Sequence, residues 1–316
     1  MSASDNFANW SHFPMGPQLR RYLGITESEY TGHQTDRPSD EEHSLFRHEL
    51  EHLISKQAPA DQKEFVDLLE ELTAMGLSSV VVKLADTYPQ YALDSDFRAC
   101  LALGSALMME SELDEAIVLL RQAHALAPME AAPCANLAAI YYALEQDQEA
   151  LQWADAGLQV DANNVRLWEL IASIYLIEDK ATAADRLRSK AEQCHAYAGY
   201  SLAAELMDPN DKLLKAQLLE EAYSAGIRDD EFLIEYTAAL GLAQQFEKIP
   251  QLVWRLEHME KKAVHWKLYV HAAQAYLALD QNEQAQQMIR LAENTPGVSA
   301  SVVHDLSQVY ESQALH

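Results

Sequence analysis

Cysteine is scarce: Cys100, Cys134 and Cys194 are the only three, with no CxxC pair and no metal-ligand spacing. That excludes a disulfide framework and a zinc-knuckle fold, and fits thiols in a reducing compartment. Glycine and proline number only 10 each among 316 residues, too few for a loop-rich or all-β chain. Basic side chains are the minority, 23 against 49 acidic ones, for a formal net charge of −26. A chain this acidic repels phosphate backbones and anionic lipid, and Arg20-Arg21 and Lys261-Lys262 are pairs rather than patches, so neither nucleic acid nor membrane is an expected partner. Apolar runs such as Val80-Val81-Val82 break at Lys83, far short of the ~20 residues that span a bilayer. The opening MSASDNFANWSHF has no basic start and no apolar core, so it does not read as a secretory signal and the expected place is the cytoplasm.

What is present is Ala, Leu, Glu and Gln in abundance, within a composition that is 49% hydrophobic. These are strong helix formers, and an all-α fold is the expectation. A period emerges at once. Cys100 and Cys134 are 34 residues apart, as are Leu103 and Leu137, Leu107 and Tyr141, and Ala116 and Ala150. One further step of 34 reaches Trp168, Ile171, Tyr175 and Ala184. The small residue after the second apolar position recurs too, as Gly104, Ala138 and Ala172.

Counted from residue 97, the pattern is a large or apolar residue at 4, Leu at 7, a small residue at 8, an apolar one at 11, Ala at 20, an apolar or small one at 24, Ala at 27 and Pro at 32. The segment 97–130 carries it as Cys100, Leu103, Gly104, Leu107, Ala116, Leu120, Ala123 and Pro128. This resembles the tetratricopeptide repeat, of the sort found in bacterial-type cytosolic adaptors and chaperones. The strong matches are 97–130, 131–164, 165–198 and 266–299, the last with Tyr269, Ala272, Ala273, Tyr276, Ala285, Ile289 and Ala292. Arg188 sits where 165–198 should be apolar. Weaker matches fill 63–96, 199–231 and 232–265, and a capping helix is expected near 300–312. The resemblance implies an all-α right-handed superhelix, an α-solenoid of antiparallel helix pairs with about seven units, over residues 61–316. Each unit leaves an apolar face that only its neighbour can cover. Cys100, Cys134, Trp168, Tyr141 and Tyr175 read as core.

The same resemblance implies that the first helix of each unit lines a concave groove. Its candidate residues are Arg98, Leu101, Ser105, Met108 and Met109, then Asn136, Ala139 and Tyr142, then Arg166, Leu170, Ser173, Leu176 and Ile177. Apolar side chains among them suit an apolar peptide or helix of another protein, since large exposed apolar surface marks interaction sites. Only Asn136 and Arg166 match the positions with which some family members clamp a terminal carboxylate, so that clamp is not expected. Acidic residues cluster near the turns: Glu110, Glu112, Asp114 and Glu115, then Glu145, Asp147 and Glu149, then Glu178 and Asp179. They read chiefly as helix-start chemistry, and secondarily as an edge for a basic partner.

Residues 1–60 do not follow the repeat. Phe7, Trp10, Phe13, Tyr22 and Tyr30 predict a partly ordered extension that packs on the array, along its groove or against a second copy. His48-Glu49-Leu50-Glu51-His52 spells HExxH, in which His48 and His52 could hold zinc on one helix face and Glu49 activate water. Glu51 is charged where zinc peptidases have an uncharged residue, no third ligand has a family-like spacing, and little chain precedes the motif. No cofactor and no catalysis are therefore expected. The leading expectation is a protein-binding adaptor or chaperone; a zinc-dependent hydrolase and a homo-oligomeric scaffold are the alternatives.

Overall fold

The computed structural model describes residues 10–32, 39–91, 95–177 and 179–296. Sixteen α-helices and no strand occur among these residues. They are α1 (Pro17–Leu23), α2 (Asp40–Ile54), α3 (Gln62–Ala74), α4 (Ser78–Thr87), α5 (Phe97–Met109), α6 (Leu113–Leu126), α7 (Ala131–Ala143) and α8 (Asp147–Val160). They continue with α9 (Val165–Tyr175), α10 (Lys180–Cys194), α11 (Tyr197–Met207), α12 (Lys212–Ser224), α13 (Asp230–Leu242), α14 (Lys248–His258), α15 (Trp266–Ala278) and α16 (Asn282–Glu293). Within each compact unit helix pairs stack on helix pairs, in the manner of an all-α solenoid. The chain divides into two compact units, Met1–Asp161 and Ala162–His316. The expected cap at 300–312, Phe7 and Glu178 lie outside the described residues.

The turn inside a pair has one recurring form. After α5 the chain turns through Ser111 at φ 66°, after α7 through Glu145 at φ 58°, and after α15 through Asp280 at φ 57°. In each, two backbone N–H groups fold back onto the helix: Ser111 N and Glu112 N donate to Met108 O and Leu107 O, at 3.2 and 2.9 Å. Glu145 and Gln146 do the same to Tyr142 and Tyr141. A left-handed residue closes the helix end and reverses the chain within three residues, so the second helix returns along the first. The acidic residues of these segments find ordinary employment. Asp114, Glu115, Asp147 and Glu149 occupy first turns of α6 and α8, where the helix dipole favours negative charge. Asp179 caps α10 by accepting from Ala181 N and Thr182 N, both at 3.0 Å.

In the first unit the ruler of small and large residues is visible as packing. Cys100 and Cys134 are fully buried, as are Ala116, Leu120, Ala150 and Ala154. Gly104 shows why the position is small: a Cβ there would lie 2.9 Å from Leu120 Cγ. Helices α5 and α6 therefore touch backbone to side chain. Ahead of them, α1 lies against α3 and α2 against α4. Phe13 stacks on Phe46 at 4.2 Å with Trp10 edge-on at 5.3 Å. Glu71 of α3 accepts from Gln18 N and Leu19 N, at 3.0 and 3.2 Å, a carboxylate set at the positive end of α1. Residues 10–32 thus pack on their own chain, with Phe13, Leu19, Tyr22 and Leu23 buried.

In the second unit Trp168, Ile171, Ala184 and Ala191 form the same kind of core. Trp168 Nε1–H donates to Ala162 O at 2.8 Å, so its polar edge is satisfied. Gly199 of α11 is pressed so closely that a Cβ would lie 2.7 Å from Ala191 Cβ and 2.8 Å from the Trp168 ring. Arg188 interrupts the apolar pattern as a half-buried side chain whose guanidinium pairs with Asp185 at 3.2 Å and Glu221 at 2.6 Å.

Candidate functional site

Helix α5 carries five of the candidate groove residues, at i, i+3, i+7, i+10 and i+11 counted from Arg98, so they share one side of it. Asp96 starts the helix by accepting from Arg98 N and Ala99 N, at 2.9 and 3.2 Å. The Arg98 guanidinium reaches Asp67 of α3 at 2.5 Å and also bonds Glu70. These hydrogen bonds, Glu70 first and then Asp67, raise the guanidinium pKa above its ordinary value. Arg98 is consequently committed to α3 rather than presented to a ligand. Sequence reading missed its two partners; the signal was there, in acids three residues apart and 31 and 28 residues before Arg98, close to one repeat.

One helix further, Asn136 Nδ2–H donates to Ser105 Oγ at 2.8 Å, and Ser105 Oγ–H donates to Leu101 O at 2.6 Å. Asn136 is buried. This corrects the expectation that it faces a ligand: α5 and α7 approach closely enough to enclose its amide, which serves as a tie between them. Leu101, Ser105, Met108 and Ala139 are half-buried. Met109 stands 71% exposed and Tyr142 42% exposed, at the ends of α5 and α7. Among the candidates on α5 and α7, the large apolar side chains are thus more accessible at the helix ends than along the helix middles.

In the second unit α9 carries the corresponding residues. Arg166 and Ser173 are exposed and Leu170 is half-buried. Ser173 Oγ–H is turned back onto Glu169 O at 2.9 Å. Leu176 and Ile177, just past the helix, are exposed, Ile177 at 77%.

The HExxH segment lies on α2 and is spoken for. Trp10 Nε1–H donates to Glu49 at 2.8 Å, and Ser79 Oγ–H donates to Glu51 at 3.2 Å. His48 and His52 are exposed. Among the described residues no group of three or more His, Cys, Asp or Glu side chains is arranged to hold a metal ion. Glu49 therefore fastens the N-terminal segment. His43, one turn earlier, meets the Phe13 ring edge-on at 4.9 Å.

Cys134 and His271 also have shifted acidities. Burial raises the Cys134 thiol, whose Sγ lies 3.4 Å from His124 Nδ1, so the contact does not make a thiolate. His271 is lowered, first by burial and then by Lys267. Its Nδ1 sits 2.7 Å from Thr237 Oγ1, which also lies 2.9 Å from Leu233 O.

With stacked pairs, left-handed turns and buried small residues all in register, the comparison with known families is decisive where the match is strongest. The family model described as tetratricopeptide repeat matches residues 107–174. Residues 107–174 carry the tetratricopeptide repeat. No curated protein matches the sequence. Among solved structures, a tetratricopeptide repeat protein from Parabacteroides merdae aligns at 14% identity over 79% of this chain and 98% of its own, with TM-score 0.36. Pseudomonas aeruginosa pilF aligns at 14% identity over 67% of this chain and 96% of its own, with TM-score 0.32. Yeast Tom70 aligns at 14% identity over 99% of this chain and 69% of its own, with TM-score 0.38. Tetratricopeptide repeats are generally non-catalytic and serve protein–protein interaction. No helix among the described residues is long and apolar enough to cross a membrane.

Proposed function

We propose that this repeat protein is a protein-binding adaptor or chaperone that holds an apolar peptide or helix of a partner against the first helices of its repeats. The observation that carries the reading is the exposure of Met109 and Tyr142 beside half-buried Leu101 and Met108. Folding left these large side chains in water, where a well-covered core had already been made behind them. A helix laid on such a surface anchors through apolar residues at i, i+3, i+4 and i+7, and Met adapts to varied side chains. Leu176 and Ile177 offer the second unit a comparable surface of its own. The site of action is taken as the cytoplasm, in keeping with three cysteines of which none is in a disulfide.

The test is fluorescence anisotropy with labelled amphipathic-helix, basic and acidic peptides, on the wild type and on Met109→Glu combined with Tyr142→Glu. Both positions are exposed, so the double variant is expected to fold and to bind the amphipathic peptide at least about tenfold more weakly, a loss near 1.4 kcal/mol. Equal binding by both proteins refutes the reading.

A further inference from the structure

We infer that the end of α14 and the start of α15 form a second, cationic and aromatic docking surface for an acidic segment of a partner protein. Five side chains make it: Trp254, His258, Met259, Lys261 and Lys267, with the Trp266 ring beneath Lys267.

The surface is joined by contacts within the second unit. His258 stacks on Trp254, centroids 5.0 Å apart at 13°. Its Nδ1 lies 3.0 Å from Trp254 O, so this nitrogen carries the proton and the pair is held flat. Glu257, the neighbour of His258, accepts from Tyr269 of α15, which brings the first turn of α15 against the last turn of α14. Lys262 N donates to Leu256 O at 2.9 Å, folding the connecting loop back onto α14. At the head of α15, Lys267 Nζ lies 5.7 Å from the centre of the Trp266 ring.

What is apolar here is exposed: Trp254 at 54% and Met259 at 67%. A tryptophan stacked on a histidine and left half in water has a formed face that no described residue covers. Aromatic and Met side chains are the ones enriched at interfaces.

The charge argument decides the occupant. The whole chain carries −26, yet the carboxylates of this region are already engaged. Glu260 pairs with Arg228 at 3.1 Å and accepts Tyr223 Oη–H at 2.7 Å. Asp230 pairs with Lys262 at 2.9 Å. Glu257 accepts from Tyr269 and lies 3.9 Å from His258 Nδ1. Lys261 and Lys267 are exposed, and neither has a carboxylate within ion-pair reach among the described residues. Between residues 254 and 267 four cations, Arg255, Lys261, Lys262 and Lys267, stand against two carboxylates, Glu257 and Glu260, which leaves a local positive excess on an acidic protein. Its range is set by screening, about 10 Å at ordinary ionic strength, so it selects a small acidic element rather than an extended one. A membrane plane or a nucleic-acid duplex brings many negative charges against the surrounding acidic surface as well. An acidic peptide with interleaved apolar residues meets only the patch. Its carboxylates reach Lys261 and Lys267 while its apolar side chains cover Trp254 and Met259.

This surface is separate from the Met109 and Tyr142 positions and stands without them. The experiment uses the full chain and a fluorescein-labelled peptide of alternating Glu and Leu. Its controls are the Lys-for-Glu counterpart, a single-stranded DNA oligomer and vesicles containing phosphatidylserine. The wild type is expected to bind the Glu peptide and to lose affinity as salt rises. Lys261→Glu with Lys267→Glu, and separately Trp254→Ala, are each expected to weaken binding about tenfold. Met109→Glu with Tyr142→Glu is expected to leave it unchanged. Circular dichroism of each variant confirms that the fold is kept. Absence of Glu-peptide binding, equal binding by the lysine variants, or tighter binding of the oligomer or the vesicles overturns the inference. So does light scattering that shows wild-type self-association abolished by the lysine variants, because the occupant is then a second copy.

Discussion

Between α5 and α8 helices are joined mainly by small side chains set against large ones, and polar ties such as Asn136–Ser105 and Arg121–Tyr141 are few. Between α11 and α15 the joins are increasingly ionic. Lys215 pairs with Glu205 and Glu235, both at 3.1 Å, and Ser201 donates to Glu235 at 2.6 Å. Arg228 covers the Tyr223 ring at 3.5 Å, with Glu260 bridging the two residues. Where the repeat pattern in sequence fades, charged and hydroxyl groups take over the work of register. Dispersion and burial hold the first region, and these are insensitive to salt; the second depends on half-exposed charges, which salt screens.

The comparison breaks most readily at Leu120. Leu120→Ala empties a fully buried site between α5 and α6 and is expected to cost about 2–5 kcal/mol, unchanged between low and high salt in urea titrations. Gly104→Val forces a side chain into contact with Leu120 and should cost about 1–3 kcal/mol. In the ionic region, Glu260→Gln removes the charge facing Arg228. The expected loss is about 1 kcal/mol at low salt and much less in about 1 M salt, where screening acts within about 3 Å. A salt-independent loss at Glu260 would erase the distinction between the two regions.

Acid sharpens it further. His271 has its folded pKa lowered by burial, so below the unfolded value of about 6.5 the unfolded chain binds a proton that the folded one does not. Its contribution is therefore complete above about pH 6.5 and is lost as pH falls toward the folded pKa. His271→Gln should flatten that part of the stability–pH curve, measured as the urea midpoint across pH. The smallest effect is a gain. Glu145 holds φ 58°, a conformation that costs a non-glycine residue about 1 kcal/mol, so Glu145→Gly should raise the thermal midpoint slightly.

The strong repeats were legible because a period of 34 needs only residue size, and size is written directly in the letters. Cys100, Cys134 and Trp168 occupy one position in three successive pairs and are all buried. Pairings such as Tyr223 with Glu260, 37 residues apart, were not legible, since a Tyr and a Glu at that distance recur by accident throughout an acidic chain. The break into two compact units after Asp161 has no marker in the sequence. Of the candidate groove residues, Met109 and Tyr142 stand exposed, whereas the burial of Asn136 follows from how near α7 comes to α5. The partner of Glu49 in the HExxH string was likewise illegible: only coordinates reveal that it meets Trp10.

The carboxylate of Glu71 under α1 carries a practical corollary. Residues 10–32 occupy its oxygens with the backbone N–H groups of Gln18 and Leu19 and cover the Phe46 ring. A shortened chain beginning after Gly32 exposes a raw end, greasy at Phe46 and charged at Glu71, of the shape another such end can abut. Shortened chains are therefore expected to string together at their cut ends, and tags or fusions belong ahead of Trp10.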